Sequence, residues 1–231
     1  MRFSQVMAQM NWAYLLDLAG QILPALCCIT LHELSHGFVA WKLGDDTAKK
    51  AGRLSLNPLR HIDIMGLLMM ALLRFGWAKP VPVNMYHFKH PKRGMAITAA
   101  AGPVSNFLLA FLLLLAFGLL WPLLLGSTWG ELLLYFFYVT AYLSVYLGLF
   151  NLLPLPPLDG AKIFFAFLPD KSYEKLMRYE RYGMLAFVLI IFLLNRLEVN
   201  PLYTAADFVF DKLCILQMPD AQSLYQILIG H

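Results

Sequence analysis

Long apolar stretches alternate with short polar ones along the chain, at about residues 14–43, 95–121, 132–153 and 182–195. A bilayer core takes about 20 helical residues to cross, so this pattern predicts about four spanning helices. Two shorter apolar runs, 62–75 and 161–168, cannot cross. They predict re-entrant or interfacial helices, which a membrane tolerates only where protein or a watery cavity covers them. The segment "AKPVPVN" at 78–84 alternates proline with valine, forbids helix and predicts a small extended hairpin. The fold class expected is therefore an all-α polytopic membrane protein with short re-entrant helices and one extended hairpin.

Composition sharpens this reading. Hydrophobic residues make up 60% of the 231 and charged residues only 14%, far from the usual make-up of soluble domains. One domain over 1–231 is expected, ending in a polar tail over 201–231. The first dozen residues lead into a helix too long for the h-region of a cleavable signal peptide. The net charge of +4 comes from cations grouped between apolar segments, which speaks to membrane orientation and excludes a nucleic-acid partner. Lys42, Lys49, Lys50, Arg53 and Arg60 follow the first apolar stretch, and Lys171, Lys175, Arg178 and Arg181 precede the last. Those loops are expected in the cytoplasm, with the cation-free loop at 122–131 and the tail on the far side. Trp121, Trp129, Tyr135 and Tyr138 read as an interfacial belt. Cys27, Cys28 and Cys214 form no CxxC pair and no disulfide framework.

Against this apolar background, "ITLHELSHGF" at 29–38 stands out, since ionisable groups at membrane depth are costly. His32 and His36, at i and i+4, share one helical face with Glu33 beside them. Two neutral imidazoles suit zinc, and the adjacent carboxylate can take a proton from a water whose pKa the metal lowers to about 7. A hydrolytic zinc site generally takes a third protein ligand. The Pro-broken segment "NLLPLPPLDG" at 151–160 offers Asp159, which would otherwise read as a turn-forming Asp-Gly. Asn106 places an amide donor in an apolar helix, suited either to an oxyanion or to helix–helix hydrogen bonding, and Asn151 stands similarly before the proline run. His61, Asp63, His87 and His90 lie in polar surface segments and are expected to be solvated.

HELSHG and NLLPLPPLDG, with "AGPVSN" at 101–106, resemble the site-2 proteases, intramembrane zinc metalloproteases, over about residues 18–185, and within them the compact prokaryotic branch. No PDZ insertion or CBS domain is evident. The resemblance implies one Zn2+ per chain held by His32, His36 and Asp159, with Glu33 as general base and acid, and Asn106 and Asn151 lining the site. It also implies a multi-pass protein of the cytoplasmic membrane whose substrates are membrane-spanning proteins, and the loop charges place its site facing inward. A peptide bond in an intact helix must be unwound before attack, and Val81 and Val83 are expected to pair with the extended strand by strand addition. The rival reading is a non-proteolytic metal-binding membrane protein, either a transporter or a silent homologue. Such a site needs ligands but no paired general base, and no inverted repeat is evident.

Overall fold

The computed structural model describes residues 12–66, 78–173, 175–176, 183 and 201–217. Its long helices are α1 (Trp12–Lys42), α3 (Pro91–Leu124) and α4 (Thr128–Asn151), with the short α2 (Thr47–Lys50) and α5 (Asp159–Phe165) between and after them and α6 (Pro201–Gln217) last. Among the described residues, three are long and apolar enough to cross a membrane, over Ile22–Lys42, Pro91–Leu124 and Thr128–Asn151. The expected fourth stretch, 182–195, and most of 62–75 lie outside the described residues, apart from Gly183 and residues 62–66. Helix α3 starts earlier than its apolar run because Pro91 occupies the first turn, where a missing N–H costs nothing. The chain then reverses through Gly126, whose φ of 85° favours glycine, and α4 begins.

Helices α3 and α4 pack through Ala110, Leu114 and Phe117 on one side and Leu134, Ala141 and Val145 on the other. Some polar groups inside this bundle find backbone carbonyl partners, which apolar surroundings favour. Ser144 Oγ donates to the Asn106 backbone carbonyl at 2.9 Å. The Cys28 thiol donates to the Thr140 carbonyl at 3.4 Å, tying α1 to α4. Leu108, Leu112, Leu115, Leu119 and Leu123 form an exposed stripe along α3, an arrangement suited to lipid.

The first part of the expected polar tail forms α6, which packs on the bundle. Ala206, Phe210 and Cys214, at helical spacing, put one face of α6 into the bundle core, while Asp207, Asp211 and Lys212 lie on exposed positions and gave the segment its polar look. Tyr203 meets Tyr146 with ring centroids 4.9 Å apart and Phe210 meets Tyr138 at 5.2 Å, so α6 runs antiparallel along α4. The hairpin is reduced, among the described residues, to an isolated antiparallel bridge between Ile62 and Ala78, with the Lys79 N–H donating to the His61 carbonyl at 2.9 Å. Pro80 and Pro82 lack the N–H groups a ladder would use. The run expected at 161–168 is a short helix, α5, which starts two residues earlier at Asp159.

Candidate metal centre

The HExxH turn lies in the last third of α1, where one helical repeat brings the His32 and His36 rings to a centroid separation of 4.6 Å, edge to face. Helix α3 crosses this turn in the opposite sense. Its residues Thr98, Gly102 and Asn106, spaced by four, present one face to the histidines. The Thr98 carbonyl accepts from His36 Nδ1 at 2.8 Å, which fixes the tautomer with Nε2 as the free ligand atom. The Asn106 amide lies 3.2 Å from His32 Nδ1. For Nε2 of His32 to bind a cation, Nδ1 must carry the proton and Asn106 must present its side-chain oxygen Oδ1, an atom that is buried and without a partner among the described residues. Asn106 is fully buried and sits on the Nδ1 side of His32, away from the ligand atom.

Between them, Gly102 makes the close approach possible. A Cβ there would lie 2.5 Å from both His32 Cε1 and His36 Nε2. Gly102→Ala is therefore expected to displace both rings and weaken zinc binding about tenfold or more, measured by metal analysis of the purified protein. Zinc retained at the wild-type level would show that the rings need no such clearance.

Asp159 comes from the far end of the chain as the first residue of α5. Its Oδ2 stands 3.1 Å from His32 Nε2 and 3.1 Å from His36 Nε2. Burial alone would raise its pKa, but the two imidazoles outweigh that and hold the carboxyl well below the usual range. Gly160 explains how α5 reaches this place, because a Cβ there would lie 2.3 Å from the Leu152 and Leu153 carbonyl oxygens at the end of α4. The Asp-Gly pair thus opens a helix against the proline loop rather than making a free turn.

One ligand atom from each of His32, His36 and Asp159 lies within 4.8 Å of the others. Tetrahedral zinc with bonds of about 2.0–2.1 Å sets neighbouring ligand atoms about 3.3 Å apart, close to the two N···O separations observed. Two imidazoles and one carboxylate, with Nδ1 of each ring engaged behind, fit zinc and leave a fourth position for water.

Glu33 is half-buried beside the pair, and its Oε2 accepts from the Val81 N–H at 2.8 Å. The Val81 N–H, expected to meet substrate, is thus engaged by the carboxylate. Asn151 donates its side-chain N–H to the Leu147 carbonyl one turn back, at 2.9 Å, and no described contact joins it to the triad. His61, expected to be solvated, is 1% exposed, with Nε2 2.8 Å from the Ser55 carbonyl. A second grouping, Asp45, Asp46 and His87, brings its ligand atoms equally close. Asp45 is fully buried and already accepts from Thr47, the Asn84 N–H and His87. Burial opposes its ionisation, but these bonds prevail and hold its pKa below the ordinary value.

Comparison with known proteins agrees with this chemistry. The profile of peptidase family M50 matches residues 124–194, which contain Asn151 and Asp159. The chain is 42% identical over 175 residues to "Putative zinc metalloprotease YwhC" of Bacillus subtilis (strain 168), covering 73% of this chain and 78% of that protein. It is 32% identical over 203 residues to "Putative zinc metalloprotease Rip2" of Mycolicibacterium smegmatis, covering 84% of this chain and 74% of that one. No solved structure matches it. A histidine pair and a carboxylate converging between apolar helices, together with relatives this similar over most of both chains, place the chain in peptidase family M50, the site-2 proteases, as a zinc metalloprotease of the membrane.

Proposed function

We propose that this metalloprotease cuts membrane-anchored proteins within or beside a transmembrane segment, close to the cytoplasmic face of a cell membrane that it crosses several times. The observation that carries the reading is the depth of the histidine pair. His32 and His36 lie inside the apolar span Ile22–Lys42, six to ten residues before its Lys42 end, or roughly 9–15 Å along a helix. A substrate reaching that depth has to be in the membrane itself. The Lys42 end leads into the loop bearing Lys49, Lys50, Arg53 and Arg60, a cation excess of the kind retained in the cytoplasm.

In this proposal His32 Nε2, His36 Nε2 and Asp159 Oδ2 hold one zinc. The metal, when bound, supplies a Lewis acid for the peptide carbonyl and lowers the pKa of water beside it. Glu33 takes the proton from the attacking water and returns it to the leaving amine nitrogen. Asn106 and the Thr98 carbonyl hold the two rings from behind. Val83, whose N–H has no partner among the described residues, is the donor left in its segment to pair with an unwound substrate strand. Asn151, with its amide turned to Leu147, has the weaker claim to a place on substrate.

Two measurements test this. A single-span substrate in liposomes is expected to be cut within or next to its transmembrane segment, with the site mapped by mass spectrometry. Single cysteines in 44–60 are expected to react with an impermeant reagent from the cytoplasmic side only. Cuts confined to soluble regions, or labelling of 44–60 from outside, would overturn the reading.

A further inference from the structure

The mechanism leaves unexplained why a buried, proline-flanked stretch of backbone is fastened over the general base. Glu33 and Gly37 are four residues apart and share a face of α1. Val81 meets both. Its N–H donates to Glu33 Oε2 at 2.8 Å, and its side chain, 8% exposed, fills the notch left at Gly37. A Cβ on Gly37 would lie 3.1 Å from Val81 Cγ1 and 2.8 Å from Leu54 Cδ2. Pro80 fixes the backbone on one side, and Pro82 holds Val81 itself in an extended conformation. Neither proline has an N–H, so the Val81 amide is the one donor in the Pro80–Pro82 stretch.

The stretch is held at both ends. On one side the Lys79 N–H donates to the His61 carbonyl at 2.9 Å, and the buried Arg53 guanidinium donates to the Lys79 carbonyl. On the other the Asn84 N–H donates to Asp45 Oδ2 at 2.6 Å, and His87 Nδ1 bonds Asp45 Oδ1 at 2.8 Å. These contacts leave the Val81 amide little freedom to leave Glu33. Among the described residues Glu33 Oε2 is held by this bond, and Oε1 has no hydrogen-bond partner.

We infer that the Val81 backbone amide is the positioning group for the general base, with Asp45 acting through Asn84 to keep it in place. A glutamate side chain on a helix has three rotatable bonds, and a charge-assisted bond from a rigid amide selects the rotamer that faces the metal ligands. This inference rests on the proposed role of Glu33. It assigns Val81 N–H to the enzyme rather than to substrate.

Hydrogen exchange and steady-state kinetics test it together, in the full-length chain in detergent or liposomes. Exchange at the Val81 amide is expected to be slow in the wild type and at least about tenfold faster in Glu33→Ala, in which the acceptor is gone. Equal rates in the two proteins overturn the inference whether or not the chain proves to be a protease. Val81→Pro removes the donor between residues already compatible with proline. It is expected to lower kcat about 10- to 100-fold while KM and bound zinc stay within twofold of wild type. A raised KM with unchanged kcat would overturn the inference in favour of substrate pairing. Asp45→Asn is expected to speed Val81 exchange and lower kcat in the same direction, and wild-type exchange in that variant would exclude Asp45 from the role. If Val81→Pro does not fold, the exchange comparison in Glu33→Ala decides. If exchange responds as expected but no substrate is cut, the hydrogen bond stands and the proteolytic reading of Glu33 fails.

Discussion

Replacing Glu33 by glutamine is expected to lower turnover by about 10²- to 10⁴-fold while zinc stays bound. The substitution is chosen for what it preserves. A glutamine amide oxygen still accepts from the Val81 N–H, so the segment over the site keeps its anchor. What is lost is the ability to take a proton from water and return it to the departing amine. Elemental analysis beside a cleavage assay separates the two effects. A Glu33→Gln variant that cuts at the native rate would remove Glu33 from the chemistry, and one that loses zinc would make it a determinant of the metal site.

Asp159→Ala is expected to abolish both zinc binding and activity. Without it the cation would rest on two neutral imidazoles in apolar surroundings, with no negative charge to compensate it. Bound zinc is expected to fall from about one per chain to less than about a tenth of that, with turnover falling alongside. Stoichiometric zinc in Asp159→Ala would mean that another carboxylate completes the shell and that the 127-residue separation between His32 and Asp159 joins them for a different reason.

Three of the spans and the histidine pair were legible because they depend on patterns the chain repeats locally: runs of apolar residues, and an i, i+4 spacing with a carboxylate beside it. Asp159 was legible only in company with that pair. The supporting face of α3 was not. Thr98 acts through its carbonyl, which any residue would offer, and Gly102 acts by having no side chain, so neither leaves a chemical signature. A stripe of Thr98, Gly102 and Asn106 spaced by four along one helix was the available clue. Val81 was singled out for the right stretch of backbone, but a sequence does not tell which way an amide points. Gly37, in the same notch, was a signal that something packs closely there. The core-facing side of α6, Ala206, Phe210 and Cys214, was masked by the charged residues between them, and His61 was misread because a polar neighbourhood does not reveal that the residue is 1% exposed with its ring against the Ser55 carbonyl.

The most direct test of the account is cleavage of one membrane-anchored substrate by the purified chain in liposomes, before and after zinc is stripped by a chelator and restored. The account predicts a cut at membrane depth that disappears on stripping and returns as zinc is refilled to about one ion per chain. A cut that survives complete removal of zinc, or a zinc-loaded chain that leaves every single-span substrate intact, would contradict it.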